Sequence, residues 1–381
     1  MTGTLPGLAP AFRPLLKWPG GKAREWDDIA PAVPRGVRHF VDPFTGGGAP
    51  FARTAFSGRA WLNDRHERLV DLHFRAQRGD AALLEAVRDL GEAWERLGDA
   101  VGATAGRFGT LVEEARTGTR TDGRSARTAI EAALAAAGVP EAGPDCATSL
   151  LDKAKRLANL ERKHAVSFDV RQIAEHGETA IRAGFYTFVR AREAAATATT
   201  ARATADFLFV REFCYGSMFR HNAYGAFNIP YGGRSYNRKR FLDRWDQLRS
   251  EATRAALARA TFSCGDFEPF LDGLRGRLGP EDFVFADPPY DSDFRSYGPD
   301  AFGPSDHERL AAALARLPCP WLLVIKETDF VRRTFLSPAA KAAGARELHA
   351  FDKKYGYNVR GRNERATRHV LIGNHDAPRS S

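Results

Sequence analysis

The chain has few cysteines and no long apolar run, and these absences exclude several classes of protein. No apolar stretch approaches the roughly 18 residues that span a bilayer, and Met1 to Arg13 lacks the features of a secretory signal. We therefore expect a cytoplasmic protein. Neither a disulfide framework nor a metal site is expected, because the four cysteines are far apart and form no paired spacing: Cys146, Cys214, Cys264 and Cys319.

An excess of acidic residues is also missing. The 381 residues include 56 Lys and Arg against 47 Asp and Glu, which gives a formal net charge of +9. A basic balance favours a polyanionic partner, because each phosphate that Lys or Arg neutralises releases condensed counterions. The charge alone does not name that partner, since Arg-rich compositions have other origins.

The chain separates into two compositional parts. Residues 10–75 and 260–375 contain short β-branched or aromatic runs, each followed by a helical pattern, which is typical of a mostly parallel sheet with crossover helices. Residues 76–259 are rich in Ala, Arg and Thr with helix-like spacing, so they predict an inserted, mainly helical domain. Within them, Thr117 to Arg127 lacks an apolar period and predicts a flexible surface loop.

A glycine cluster follows the first apolar run. Val41 and Asp42 end a predicted strand, and Gly46 to Gly48 then open a predicted helix, so the backbone can pass close to a ligand. The next predicted strand ends at Asp64, where a carboxylate can accept hydrogen bonds from ribose hydroxyls. The pattern favours a nucleoside-bearing cofactor, while a turn without a ligand and an NAD-type site stay open as alternatives.

A second glycine motif lies upstream, between Leu16 and Lys22. A phosphate-binding P-loop would need Gly at position 16 and Ser or Thr at position 23, where this chain has Leu16 and Ala23. Nucleoside triphosphate hydrolysis is therefore not expected.

The most informative motif is Asp287-Pro288-Pro289-Tyr290, which follows an apolar run typical of a buried strand. Two prolines fix the backbone and remove two N–H donors. The carbonyls of this rigid turn and the Asp287 carboxylate can then accept hydrogen bonds from both protons of an exocyclic amino group, while Tyr290 offers a ring for stacking. We predict that these four residues form the catalytic pocket; the alternative is a proline-rich turn with an incidental acid and ring.

A predicted hairpin over residues 213–240 interleaves aromatic and basic side chains around a turn at Asn222 to Gly225. Arg and Asn side chains can read base edges in a DNA major groove, and neighbouring cations can hold phosphates. The alternative is an aromatic hairpin packed on the core with a solvated charge run. The candidate DNA contacts here are Arg220, Asn222, Asn228, Tyr231, Arg234 and Arg238.

The order of these motifs resembles that of the Dam-type DNA adenine-N6 methyltransferases, the alpha-arrangement or D12 class. The resemblance rests on Lys17 to Lys22, Asp42 to Gly48, Asn63-Asp64 and Asp287 to Tyr290, together with residues 213–233, which are similar to the family's recognition hairpin. Residues 76–180 do not align with shorter family members. His66 stands where the family often has Asn, so it receives no role.

The resemblance implies a seven-stranded S-adenosylmethionine-dependent methyltransferase sheet with an inserted helical DNA-recognition domain. It implies methyl transfer to adenine N6 in double-stranded DNA by base flipping and direct in-line transfer, and Lys17 is similar to a residue near the recognised sequence. A monomer in bacterial cytoplasm, or one encoded by a phage, is expected, with a companion restriction endonuclease as a candidate partner. The implied cofactor-binding residues are Trp18, Lys22, Asp42, Phe44, Gly46, Gly48, Asp64, Asp266 and Asp287.

Other activities fit parts of the same pattern. Methylation of cytosine N4 in DNA or of adenine in RNA would use a similar pocket, and a catalytically silent DNA-binding protein could share the fold. By the resemblance, Asp rather than Ser before Pro288 favours adenine, and the hairpin favours duplex DNA. The intact acids Asp64 and Asp287 argue against a silent protein.

Overall fold

The computed structural model describes residues 13–18, 20–119, 122–218, 227–290, 302–354 and 366–376. The strands in these ranges are β1 (Phe40–Asp42), β2 (Ala60–Asp64), β3 (Ala260–Cys264), β4 (Phe283–Ala286), β5 (Trp321–Lys326), β6 (Arg346–Lys354) and β7 (Ala366–Gly373). The α-helices are α1 (Trp26–Ile29), α2 (Ala49–Arg53), α3 (Glu67–Arg78), α4 (Ala81–Thr117), α5 (Gly123–Ala136), α6 (Gly143–His164), α7 (Val170–Ala195), α8 (Ala201–Phe213), α9 (Leu242–Arg249), α10 (Glu251–Ala258), α11 (Phe267–Arg275), α12 (Pro304–Ala315), α13 (Asp329–Phe335) and α14 (Pro338–Ala342).

The strands form one seven-stranded sheet in the order β3-β2-β1-β4-β5-β7-β6. The first five are parallel, and β7 runs antiparallel to both of its neighbours. The chain builds outward from β1 to β3 on one side and then returns to place β4 on the other side of β1. Open sheets bind ligands at such a reversal of strand order, beside the carboxyl ends of the strands. The α/β fold that the sequence predicted is confirmed.

The central strands are short and apolar because helices cover both faces of the sheet. All residues of β1 and β4 are buried, as are the first five residues of β5. Strands that are buried on both sides have continuous apolar runs rather than alternating ones, which is why these strands were visible in the sequence. Val41 pairs with Trp61 on one side and with Val284 on the other, which sets the ends of β1, β2 and β4 next to one another.

The chain divides into two compact units, residues 1–79 with 249–381, and residues 80–248. The sheet belongs to the first unit, and α4 to α8 belong to the second. The sequence analysis placed every residue up to 259 in the insertion, whereas α10 lies in the first unit. It packs against α3 and leads directly into β3, so its apolar face is buried against the sheet domain.

An aromatic core holds the helical unit together. The Trp94 ring on α4 lies 4.3 Å from that of Phe213 and 5.5 Å from that of Phe209, both on α8, and 6.1 Å from that of Phe185 on α7. The Trp94 indole N–H donates to the Lys239 carbonyl at 2.9 Å, so the polar atom of the ring is satisfied as well.

The predicted surface loop from Thr117 to Arg127 is wrong in its second half. Helix α5 begins at Gly123, and the Asp122 side chain accepts hydrogen bonds from the backbone at its first turn. Ala126, Ile130 and Leu134 are buried at four-residue spacing, a period that starts inside the predicted loop. Among the described helices, none combines the length and apolar character needed to cross a membrane.

Candidate active site

Three carboxylates lie at the carboxyl ends of neighbouring parallel strands. Asp42 is the last residue of β1, Asp64 is the last residue of β2, and Asp287 directly follows β4. The charges of Asp64 and Asp287 both act on Asp42. The strand order therefore gathers the acids of three motifs that are distant in sequence, at the reversal of strand order.

Asp42 is fully buried, and only one of its two carboxylate oxygens has a described hydrogen-bond partner. Its Oδ1 accepts a hydrogen bond from the Phe44 amide at 3.0 Å, while Oδ2 has no hydrogen-bond partner among the residues that the structure describes. Burial raises the pKa of this carboxyl well above its usual value, and the nearby charges of Asp287 and Asp64 raise it further. A buried acceptor without a donor is costly, so this position suits a ligand that brings a cationic donor.

Asp64 fixes the glycine turn. Its Oδ2 accepts from the Gly46 amide at 2.9 Å, and its Oδ1 accepts from the His66 amide at 2.9 Å. Burial raises the pKa of Asp64, while these backbone hydrogen bonds oppose the shift. The Arg65 amide also bonds this carboxylate. A carboxylate offers about four acceptor positions, so Asp64 can also accept from a ligand hydroxyl.

The glycines of this turn let the motif around Trp18 pack closely on it. Gly46 has φ +51°, and a Cβ there would lie 2.7 Å from the Trp18 ring. A Cβ on Gly47 would lie 2.6 Å from the Leu16 carbonyl oxygen. Gly48 has φ +79° and precedes α2. The two N-terminal glycine-containing motifs are therefore parts of one site, with Trp18 set against the turn.

Asn63 is a residue whose role sequence reasoning missed. Its side-chain N–H groups donate to the carbonyls of Pro43 at 3.2 Å and Gly265 at 3.0 Å, and its carbonyl accepts from the Ser263 hydroxyl at 3.0 Å. These three bonds tie the ends of β1, β2 and β3 together. An amide at a strand end, directly before Asp64, was the available signal.

Lys22 contacts Asp287 of the predicted catalytic motif. Its side chain is 0% exposed, and its Nζ lies 2.6 Å and 2.5 Å from the two carboxylate oxygens of Asp287. The same ammonium donates to the Gly20 carbonyl at 2.6 Å. The resemblance implies that Lys22 binds the cofactor, and this stays a prediction. The described contacts of its ammonium are with Gly20 and with Asp287, whose charge it neutralises.

Tyr290 packs inside this corner. The ring is 7% exposed, and its centroid lies 5.2 Å from Lys22 Nζ and 5.3 Å from the His369 ring, which it meets edge to face. Its hydroxyl lies 3.5 Å from Asp287 Oδ1. In this conformation the corner holds an ammonium group between a carboxylate and an aromatic ring.

Asp266 and Phe44 lie at the other side of the candidate cofactor site. Asp266 caps α11 by accepting from the Glu268 amide at 2.9 Å, and it accepts from Arg309 at 2.6 Å. The Phe44 ring lies 5.4 Å from that of Phe267, the residue after Asp266. Helix capping accounts for the position of Asp266 without a ligand, so its cofactor role stays a prediction.

Tyr231 is a correction to the candidate DNA contacts. Its side chain is 8% exposed, its ring lies 5.9 Å from that of Trp94, and its hydroxyl donates to Asn237 at 3.0 Å. A ring that packs in the core and has a satisfied hydroxyl is a structural residue. The alternative of an aromatic hairpin packed on the core is therefore right for this position.

The other candidate DNA contacts have mixed placements. Arg234 is exposed and pairs with Glu175 at 2.6 Å, Asn228 is half-buried, and Arg238 and Lys17 are exposed. The base of the predicted hairpin is present, because Cys214 and Tyr231 form an antiparallel bridge. The prediction for the turn itself, and for Arg220 and Asn222, falls outside the described residues.

A family model described as the D12 class N6 adenine-specific DNA methyltransferases matches residues 18–97 and 145–355, which is most of the chain. The chain belongs to this family. Across the described ranges, no group of three or more His, Cys, Asp or Glu side chains is placed to hold a metal ion.

Several named proteins are similar to this chain over part of their length. The type II methyltransferase M.CviBI of Paramecium bursaria Chlorella virus NC1A is 30% identical over 44% of this chain and 60% of its own. The retron Ec67 DNA adenine methylase of Escherichia coli is 38% identical over 28% and 34%, and the type II methyltransferase M.MjaIII of Methanocaldococcus jannaschii is 36% identical over 30% and 38%. The chain thus matches less than two thirds of each of these relatives.

The D12-class match locates an insertion. It skips residues 98–144, which include the second half of α4, all of α5, a short 3-10 turn at Pro140–Ala142 and the first two residues of α6. The sequence analysis could not align residues 76–180; the family model places the unmatched part in the middle of that range. The helical unit of this D12-class family member therefore contains a segment that the family model does not match.

Proposed function

We propose that this protein transfers a methyl group from S-adenosylmethionine to adenine N6 in double-stranded DNA. The observation that carries the proposal is the Asp287 carboxylate beside Pro288, set at the reversal of strand order and holding a nitrogen donor on both oxygens. Membership of the D12 class supports the same activity.

The glycine side of the site fits the cofactor. S-adenosylmethionine, when bound, supplies an electrophilic methyl group on a sulfonium sulfur. Asp42 would accept from the ammonium of its methionine part, since its buried Oδ2 has an unused acceptor among the described contacts. Asp64 would accept hydrogen bonds from the ribose hydroxyls. The residues that would line the rest of the cofactor site are Trp18, Phe44, Gly46 and Gly48.

The proline side of the site fits the base. The exocyclic nitrogen of adenine is a poor nucleophile because its lone pair is delocalised into the ring. Hydrogen bonds from its two protons to Asp287 and to the Pro288 carbonyl would favour a tetrahedral nitrogen and direct the lone pair toward the methyl carbon. In the structure Lys22 already donates to Asp287 as an amino group would. We propose that the target amine takes over at least one of these hydrogen bonds.

Tyr290→Ala is expected to lower kcat/KM for methyl transfer about 10- to 100-fold, because stacking of a base on an aromatic ring contributes about 1–3 kcal/mol. Tyr290→Phe keeps the ring and loses only a hydroxyl at 3.5 Å from Asp287, so its activity should stay within about threefold of wild type. Initial rates of labelled methyl incorporation into DNA measure both variants. Equal losses in the two would argue against a stacking role.

Asp42→Asn is expected to separate stability from cofactor binding. Burial raises the pKa of Asp42. Between the usual value of 3.8 and the raised pKa, the native state binds more protons than the unfolded state. The wild-type protein therefore loses stability as the pH rises through this range. An amide cannot ionise, and the variant should be at least as stable as wild type at neutral pH. Its affinity for S-adenosylmethionine should fall about 10- to 100-fold with the loss of a charged hydrogen bond.

Calorimetric titration with S-adenosylmethionine and thermal melts over a pH series measure these two effects. Asp272→Asn on α11 is the matched control, since this exposed acid lies outside the site. Unchanged cofactor affinity in Asp42→Asn would remove Asp42 from the proposed site, as would a matched loss in the control.

The choice of acceptor is tested with S-adenosylmethionine carrying a labelled methyl group and, separately, duplex DNA, single-stranded DNA and RNA. Mass spectrometry of the digested nucleosides should find N6-methyladenine from duplex DNA. Label on cytosine N4, or on adenine only in RNA, would favour the rival enzymes. Absence of cofactor binding would favour a silent DNA-binding protein.

We further propose a monomer that acts in the cytoplasm, on the DNA of a bacterium or a phage. Lys17, Asn228, Arg234 and Arg238 stay candidate DNA contacts, together with Arg220 and Asn222. A companion restriction endonuclease is a candidate partner, because two of the relatives are named type II methyltransferases.

A further inference from the structure

A basic stripe runs along one face of α6. Lys155, Arg156, Arg162 and Lys163 are all exposed, and with Asn159 they follow the spacing i, i+1, i+4, i+7 and i+8. At about 100° per residue this spacing places them within roughly a third of the helix circumference. We call these four cations the α6 stripe.

The cations of the α6 stripe differ from most arginines of the same unit in their ion pairing. In the described part of the chain, no ion pair joins any of its four cations to a carboxylate. Glu161 lies on the other side of α6 and pairs with Arg116 at 2.7 Å. Asp152 lies on the same face, about one turn before Lys155 and Arg156. No described ion pair includes it.

Other helices of the same unit treat their arginines differently. Arg88 and Arg96 on α4 both lie within 4.0 Å of Glu92. Arg127 on α5 lies 3.8 Å from Glu131, and Arg171 on α7 lies 3.6 Å from Glu175. These pairs follow the i, i+4 spacing that stabilises isolated helices. In the α6 stripe only Asp152 has that spacing, to Arg156, and no described ion pair joins the two.

The helix dipole explains the positions of only two of the four cations. Arg162 and Lys163 lie in the last turn of α6, where cations interact favourably with the helix dipole. Lys155 and Arg156 lie two turns earlier, and the dipole effect falls off within the last turn. Their placement on the same face therefore needs another cause.

Positive charges act on two titratable side chains of α6 and α7 near the stripe. Burial lowers the pKa of Lys153, and the charge of Arg156 lowers it further. Burial also lowers the pKa of His176 on α7, and the charges of Lys153 and Arg234 add to that shift. Arg156 and Arg234 therefore act on neighbouring side chains of α6 and α7, while Glu175 opposes the shift at His176 and pairs with Arg234 at 2.6 Å.

We infer that the α6 stripe binds the phosphates of duplex DNA without reading base sequence. The inference rests on the proposed function, in which duplex DNA is the substrate. From Lys155 to Lys163 the stripe extends about 12 Å along the helix axis, at 1.5 Å per residue. Duplex DNA carries one negative charge per about 1.7 Å, so four phosphates can lie within reach of four cations.

The test replaces all four cations with Gln, which keeps helix propensity and removes the charge. The probe is a fluorescein-labelled duplex of mixed sequence, titrated by anisotropy over a series of salt concentrations. The plot of log K against log salt should become about 3.6 units shallower, since each of the four phosphate contacts contributes about 0.9. Between about 50 and about 200 mM salt, the fold-loss of DNA affinity should be about 100 times smaller in the variant than in wild type.

The matched control is the quadruple variant Arg88→Gln, Arg96→Gln, Arg127→Gln and Arg171→Gln. It removes the same charge from the same unit, but from arginines that already have glutamate partners. Its salt dependence should stay within about one unit of wild type. Equal changes in both variants would mean a general charge effect and overturn the inference, and an unchanged slope in the stripe variant would do so as well.

Methyl transfer separates this inference from the proposed function. At saturating DNA and low salt, the stripe variant should keep the kcat of wild type. If wild type binds and methylates DNA while the stripe variant keeps the wild-type salt slope, only the inference about the stripe fails. That result would favour an acidic protein as the partner of the stripe. If wild type methylates no DNA, the proposed function fails.

Discussion

Asp287→Asn is expected to lower kcat for methyl transfer about 10³-fold, a loss of the size seen when one preorganised electrostatic contact is removed from an active site. The proposed chemistry needs an anion at this position, because the target nitrogen gains positive charge as the methyl group arrives. An amide keeps one acceptor oxygen but carries no charge, and its NH2 group would face the donor. Single-turnover methyl incorporation into DNA measures the effect on the chemical step.

Folding must be controlled in this experiment, because Asn at position 287 leaves the buried Lys22 ammonium without its counter-ion. The double variant Lys22→Met, Asp287→Asn removes both charges and should fold with near-normal stability while staying inactive. Asp272→Asn, an exposed acid-to-amide change in the same unit, should keep wild-type activity. Turnover in the double variant within tenfold of wild type would exclude Asp287 from the chemistry.

Lys22→Met is expected to destabilise the free protein by about 3–5 kcal/mol, the usual cost of removing one partner of a buried ion pair. Lys22 is completely buried and Asp287 is largely so, which means that little solvent can replace the lost ammonium. The carboxylate of Asp287 would then lie in a poorly solvated corner with its main described cation gone. Urea denaturation, with thermal melts as a second probe, measures the loss.

A double-mutant cycle decides whether this cost comes from the ion pair. If it does, adding Asp287→Asn to Lys22→Met should recover most of the lost stability, because a neutral pair leaves no uncompensated charge. Additive losses in the double variant would instead show that Lys22 acts through packing of its aliphatic chain. The pair couples residues from two motifs, so the result also reports whether the two motifs fold as one site.

The sheet and its acids could be predicted from the sequence because both depend on local patterns. Buried parallel strands have continuous apolar runs, and Asp42 and Asp64 each end one of them. Parallel strands share the direction of their ends, so acids at those ends must lie at one edge of the sheet. Asp287 follows the same rule after β4.

The contact between Lys22 and Asp287 could not be predicted, because 265 residues separate the two and no local pattern encodes the pairing. The family resemblance implied a cofactor role for Lys22, and only the folded arrangement shows that its ammonium contacts Asp287. The prediction that Tyr231 contacts DNA was wrong for a related reason. An alternation of aromatic and basic residues does not say which rings face the core, and Tyr231 packs beside Trp94.

The most direct test of the Asp287 corner is isotope-resolved analysis of the methylated base. Wild type and the charge-neutral double variant Lys22→Met, Asp287→Asn are incubated with duplex DNA and S-adenosylmethionine carrying a deuterated methyl group, and the nucleosides are separated by mass. The account predicts deuterated N6-methyladenine with wild type and almost none with the double variant, at equal folded fraction. Comparable yields from both proteins, or label found on cytosine alone, would contradict it.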